Sequence, residues 1–373
     1  MIDAERAKQT FLDLVKINSP SYHERGVADH LKAKLAAMGL EVEEDDAGKQ
    51  IDGDAGNVIG FLKGSVAGAT PIFLSCHMDT VEPTDKLNVV FEGDTIKTDG
   101  TTILGADDKA GITAVLEGVA DIIDRGVPHG DVQIIFSVCE EQGLRGARSL
   151  DQSRIQGKLG YVLDTERPVG GLTVSAPTHD RLLVEIHGKA AHAGMSPEQG
   201  VSAIVAASNA ISKMKLGRID AETTANIGKI EGGKARNIVP DLVKISAEAR
   251  SRNNERLDEQ IEHMIGLFTQ EAEKMGAKAV IDHVRQYLTY RWTAEDEIVK
   301  LGMAAAKRIG IEPEFLEGGG GSDANIYNAA GIPTLVVGTG YAGAHAYTEE
   351  TSVSELAQAA EFVVALIECA AKG

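Results

Sequence analysis

Apolar residues at four-residue steps mark the first elements of the chain. Val27, Leu31 and Leu35 put one apolar face on residues 24–38 and Gly39 stops it; residues 4–17 read the same way, so the chain opens on two helices. The run Ile-Phe-Leu between Pro71 and Ser75 predicts a short buried strand ending on the polar sequence CHMDT. Beyond GADDKAG, Ile112, Val115, Leu116, Val119, Ile122 and Ile123 describe a helix closed by Gly126. DVQIIFSV predicts a strand ending in Glu140 and Glu141, and KLGYVLD another ending in Asp164. Strands alternating with helices predict an α/β, doubly wound and largely parallel sheet. Ligands of such sheets gather outside the C-terminal strand ends, where the polar residues just named all lie.

The pattern changes near residue 178. RLLVEIHG predicts a strand, residues 197–215 a helix, TANIGKIEG and LVKISAEARS two strands, residues 255–275 a long helix and AKAVIDHVR a last strand. The order βαββαβ is the split βαβ, ferredoxin-like α+β arrangement, expected here as an inserted lid. After residue 288 the first pattern resumes with helix 295–309, strand TLVVG and helix 354–371. The expected division is a first domain of residues 1–177 and 288–373, interrupted by a lid of residues 178–287.

Composition narrows the partners. A chain of 373 residues is long for one core, in keeping with two domains. Its net charge of −19 repels phosphate backbones and anionic lipid, and 4% aromatics leave little for base stacking, so neither nucleic acid nor membrane is an expected partner. No apolar run reaches membrane-span length, and the start MIDAERAKQTF lacks a basic stretch followed by an apolar one. Three cysteines, Cys76, Cys139 and Cys369, have no metal-knuckle spacing and fit a reducing cytoplasm.

The strand ends carry the candidate chemistry. His77 and Asp79 are two apart and share a face, so His77 can bind a metal through one nitrogen while Asp79 takes the other ring N–H. Cys76 and Cys139 each precede a site residue by one on a strand and are assigned to the core. Asp107 and Asp108 open a helix, where acids are favoured anyway, yet adjacent carboxylates repel unless a cation is near. Glu140, Glu141, Asp164 and the late His345 would each be weak evidence alone. Converging from one sheet, two imidazoles and three carboxylates suit two zinc ions, with Co²⁺ or Mn²⁺ also compatible.

HMDT, GADDKAG, CEEQG, VLD and GAHAYTEE resemble the motifs of the co-catalytic zinc peptidases, the group of aminoacylase, succinyl-diaminopimelate desuccinylase and glutamate carboxypeptidase. GADDKAG, the GGSD segment and IDGDAGNVIG are most similar to the peptidase T branch, with one departure: Ala346 follows His345 where that branch commonly has Glu. The resemblance implies a catalytic domain with a lid and dimerisation domain, two Zn²⁺ per subunit and short peptides as substrates. It implies that Asp107 bridges both ions, that His77 and Asp164 complete one and that Glu141 and His345 complete the other. Glu140 would be the general base, Asp79 would orient His77, and His192 of GKAAHAG would act at the site, across a homodimer in related enzymes. A cis Asp107–Asp108 peptide is also implied.

Substrate contacts are less determined. Asn237 in ARNIVP could bond a peptide group, and Arg250 in AEARS could hold a carboxylate or simply face solvent on its strand. GGGGSD, with Gly320 and Ser322, is either a linker or, as the helix expected at Asp323–Ala329 favours, a tight loop that lets substrate approach the backbone. The same metals hydrolyse N-acyl amino acids, so an amidohydrolase or carboxypeptidase is the alternative, and a non-catalytic zinc scaffold the alternative of another class. Neither GxGxxG after a strand nor GxxxxGK[ST] is present, which ranks nucleotide binding low.

Overall fold

Strand Ile72–His77 is buried at all six positions, as a strand with two neighbours and two covered faces must be. In the computed structural model, which describes residues 2–372, it lies near the centre of a nine-stranded sheet. Val132–Ser137 pairs parallel on one side and Leu159–Val162 on the other, with Thr334–Val337 parallel beyond it. The parallel core is the expected one. Its flanks are antiparallel: Val58–Leu62 pairs against Val132–Ser137, Glu41–Glu44 against Val58–Leu62, and Gly171–Ala176 against Thr334–Val337. A small separate sheet joins Val89–Glu92, Thr95–Thr98 and Glu350–Ser352. The flanking and hairpin strands are short and carry no distinct period in the sequence.

Helix Ala106–Asp124 is buried along most of its length because it packs on the sheet and against helix Val353–Ala370. The two helices meet at Gly118, where a Cβ would lie 2.6 Å from Val363 Cγ1. Leu74, Ile112, Val115, Phe136, Leu335 and Val363 belong to the same apolar core. Burying such side chains contributes roughly 1.5–3 kcal/mol each.

The chain divides into two compact units. The first runs to Val174 and resumes over Arg291–Gly318 and from Ser322; the second comprises Ser175–Tyr290 with Gly319–Gly321. The boundaries therefore fall at 174/175 and 290/291, against the 177/178 and 287/288 expected, and the glycine loop goes with the second unit. That unit is a five-stranded antiparallel sheet in the order Gly217–Arg218, Thr223–Gly232, Leu242–Ser251, Thr178–His187, Lys278–Tyr287. Val243, Ile245, Ala247 and Ala249 alternate inward against helices Ala203–Ile211 and Asn254–Lys274. The helix expected over 197–215 is shorter: a 3₁₀ turn at Pro197–Gln199 precedes Ala203–Ile211. Gly200 packs against Val239 between them, and Ser202 caps the helix proper through Val205 N–H.

Candidate active site

The His77 ring is held between Asp79 and two carboxylates. Its Nδ1 lies 2.8 Å from the Asp79 carbonyl oxygen and 3.4 Å from Asp79 Oδ1. Its Nε2 faces Asp107 Oδ1 at 3.0 Å and Asp164 Oδ1 at 3.8 Å. With Nδ1–H donated to the carbonyl, a neutral ring presents its Nε2 lone pair to carboxylate oxygens. That is unfavourable unless a proton or a metal ion lies between them.

Asp79 therefore differs from expectation. Its carbonyl is the nearer acceptor for His77, while its carboxylate turns to the next strand end. Oδ1 accepts Glu140 N–H at 2.9 Å, and Oδ2 accepts Glu141 N–H at 3.2 Å and the Ser21 hydroxyl at 2.7 Å. Beside them Glu24, fully buried, accepts Cys139 N–H at 3.0 Å. Three consecutive backbone donors are thus fixed by two buried carboxylates. Cys76 and Cys139 are free and buried, away from any ligand role.

Asp107 stands between two imidazoles. Its Oδ1 faces His77, and its Oδ2 lies 3.4 Å from His345 Nε2, which is itself 2.7 Å from Glu141 Oε1. The Asp107–Asp108 peptide is cis. Three groups of side chains could each surround an ion: His77, Asp107 and Asp164; Asp107, Glu141 and His345; and His77, Glu140 and Glu141. Burial pushes Asp164 up to about 8, reinforced by Asp107 and Glu141. Burial and Asp164 together push Glu140 well above the carboxylate range. Against its burial, His345 and His77 hold Asp107 low. So many carboxylates cannot all ionise together in a buried space without cations, and the nitrogen and oxygen donors fit divalent metal.

Residues outside the expected set complete the cluster. Asp323 is buried and takes the Ser137 hydroxyl at 2.5 Å; burial pushes it up to about 6. Tyr341 OH lies 3.5 Å from Asp164 Oδ1. Glu349 accepts the N–H groups of Gly105 and Asp107. Asp323 and Glu349 leave a trace in the sequence only as members of the GGSD and HAYTEE segments, and Tyr341 lies just ahead of GAHAYTEE.

The expected substrate residues divide between the units. Ser322 belongs to the first, where its hydroxyl accepts Ala324 N–H and caps helix Asp323–Ala329. His192, Asn237, Arg250 and Gly320 belong to the second. His192 is exposed, bridges Ile238, and its Nδ1 accepts the N–H groups of Gly194 and Met195 at 3.2 and 3.1 Å. Asn237 is adjacent through its carbonyl, which accepts Ala193 N–H at 3.0 Å. Arg250 donates to Glu248 at 3.0 Å, has no partner at Nε, and lies 3.8 Å from where a Gly320 Cβ would stand.

A sequence profile of Peptidase family M20/M25/M40 matches residues 73–368. The chain is 44% identical over 372 residues to YqjE, an uncharacterised protein of Bacillus subtilis (strain 168), covering 100% of both. It matches the crystal structure of the aminopeptidase PepT from Bacillus cereus ATCC 10987 with a TM-score of 0.91 and 43% identity over 99% of each chain. It matches that of a tripeptidase from Staphylococcus aureus subsp. aureus Mu50 with a TM-score of 0.96 and 39% identity over 100% of each. A converging set of imidazoles and carboxylates, on a fold and sequence shared with these peptidases, places the chain in Peptidase family M20/M25/M40.

Proposed function

We propose that the protein is a cytoplasmic, dimeric, two-zinc aminopeptidase that removes the N-terminal residue from short peptides, tripeptides foremost. The observation that carries this reading is Asp107, whose two oxygens face His77 and His345 separately. A carboxylate so placed would hold both ions of a pair. His77 and Asp164 would complete one site, Glu141 and His345 the other. When bound, such a pair would polarise the scissile carbonyl and lower the pKa of a water toward roughly 7.

Glu140 takes the water's proton and delivers it to the leaving amine. Geometry supports Glu140 rather than Glu141 as the base: Glu141 lies among Asp107 and His345, while Glu140 joins only the group of His77 and Glu141. The Asp79 carboxylate keeps both glutamates in place through their backbone N–H groups. His192 accepts two N–H groups at Nδ1, so its proton sits on Nε2, free to donate to the developing oxyanion in the partner's site. Arg250, with its unpartnered Nε, holds the substrate carboxylate, and Asn237 and Gly320 border the peptide.

The family kinship to PepT and the tripeptidase supports the peptide substrate, and the buried free cysteines fit a reducing compartment. Among the described residues no helix is long and apolar enough to cross a membrane. The test is a tripeptide assayed beside its N-acetylated form, each with and without chelator. Chelator-sensitive release of the N-terminal residue from the free peptide alone is expected. Equal cleavage of the acetylated form would instead assign an N-acyl-amino-acid amidohydrolase.

A further inference from the structure

The stretch that opens helix Ala106–Asp124 is not helical in its backbone: Gly105 adopts the left-handed conformation at φ 77°, and Asp107 and Asp108 depart from helical angles. Buried backbone N–H groups in such an irregular stretch must find a partner elsewhere. Here the partner comes from far along the chain. Glu349, 1% exposed, accepts Gly105 N–H at 2.7 Å through Oε2 and Asp107 N–H at 2.9 Å through Oε1.

Glu349 lies on the loop that carries His345. His345 is itself held at φ 64°, and the loop is anchored by paired backbone bonds between Ala342 and Glu350, at 2.9 and 3.0 Å. The two bonds from Glu349 therefore tie the loop of one imidazole to the backbone of the aspartate that faces it. Asp107 Oδ2 and His345 Nε2 are 3.4 Å apart across that tie.

We infer that Glu349 is a positioning residue for the metal centre: it sets Asp107 and His345 at their working separation before any ion binds, and so strengthens metal affinity without touching metal or substrate. The inference rests on the two-metal reading above. Both oxygens of Glu349 are engaged by backbone donors, and Glu349 belongs to none of the three groups that could surround an ion. Replacing it by Gln turns one acceptor into a donor that faces a backbone N–H. Replacing it by Asp shortens the side chain so that it reaches only one of the two.

The experiment titrates Zn²⁺ into metal-stripped wild type, E349Q, E349D and S352A by calorimetry with a competing chelator, and melts the same stripped proteins. S352A removes the Ser352 hydroxyl that caps helix Val353–Ala370 through Glu355 N–H, and serves as a control for general destabilisation on the neighbouring segment. Wild type is expected to take two equivalents. E349Q should bind about 10–100-fold more weakly, as supporting residues of metal sites typically do when replaced, and E349D should fall between. S352A should melt lower yet keep wild-type affinity. Wild-type affinity in E349Q and E349D overturns the inference. So does an equal affinity loss in S352A, because general destabilisation would then account for it. If E349Q does not fold, E349D decides in the same way. A wild type that fails to take two equivalents overturns the two-metal reading itself.

Discussion

The Asp79 carboxylate accepts the backbone N–H of Glu140 at 2.9 Å, so the side chain two places beyond His77 fixes the residue assigned as general base. Through its other oxygen it also holds Glu141 N–H. Asp79→Asn preserves shape but turns an amide NH₂ toward one of these donors. It is expected to lower kcat about 10–100-fold with little change in KM. Equal kcat in the variant and wild type would show that the strand end holds its geometry unaided.

Glu140→Gln and Glu141→Gln should separate cleanly. The first is expected to retain metal and lose about 10²–10⁴ in turnover, the contribution of a general base. The second should lose metal, because Glu141 Oε1 lies 2.7 Å from His345 Nε2 within one of the ion-binding groups. Metal analysis beside steady-state rates reads both; exchanged behaviours reverse the assignment.

Exhaustive chelation should abolish peptide hydrolysis, and Zn²⁺, or Co²⁺ or Mn²⁺ in its place, should restore it. The donor set of imidazole and carboxylate accepts all three. Full turnover in protein shown to be metal-free contradicts the mechanism.

His192→Ala and Glu140→Ala should each be nearly inactive alone. Co-expressed, random pairing makes about half the dimers mixed, each with one complete site, so roughly a quarter of wild-type activity should return. Mixed dimers that stay inactive would place His192 within its own subunit's chemistry or outside catalysis.

Away from the site, Arg25 and Lys32 hold Glu44 between them, and Gly56 N–H adds a third bond. The Arg25 hydrogen bond chiefly, against the cost of burial, lowers Glu44 from its ordinary 4.5 to about 2. A depressed carboxylate contributes stability that is fully present above the unfolded value and is lost as pH falls from about 4.5 toward 2. Glu44→Gln should therefore lower the melting temperature at pH 7 and narrow the gap between variant and wild type through that window. A gap that stays constant with pH would mean the ion cluster adds nothing to stability.

Much of this was written in local patterns. The apolar run before CHMDT, the helix after GADDKAG and the period-two strands of the second unit follow from spacing alone, because a buried strand or an amphipathic helix needs only its own side chains to declare itself. The ligand types were legible for the same reason: they stand at the ends of those elements. The antiparallel flanks, the hairpin Val89–Glu92 with Thr95–Thr98 and the break at Gly200 were not, since short edge strands and caps depend on neighbours distant in sequence.

The site's supporting contacts depended on tertiary structure most of all. Placement at element ends, together with the resemblance of the HMDT, GADDKAG, CEEQG, VLD and GAHAYTEE motifs, implied that His77, Asp107, Glu140, Glu141, Asp164 and His345 meet. Only the folded chain decided that Asp79 gives its carbonyl to His77 and its carboxylate to the Glu140–Glu141 turn, and that Glu349 grips the backbone of Asp107. Those contacts join side chains to backbone N–H groups. Every residue but proline carries such a donor, so the sequence leaves no mark of which one is taken until folding leaves it buried and in need of a partner.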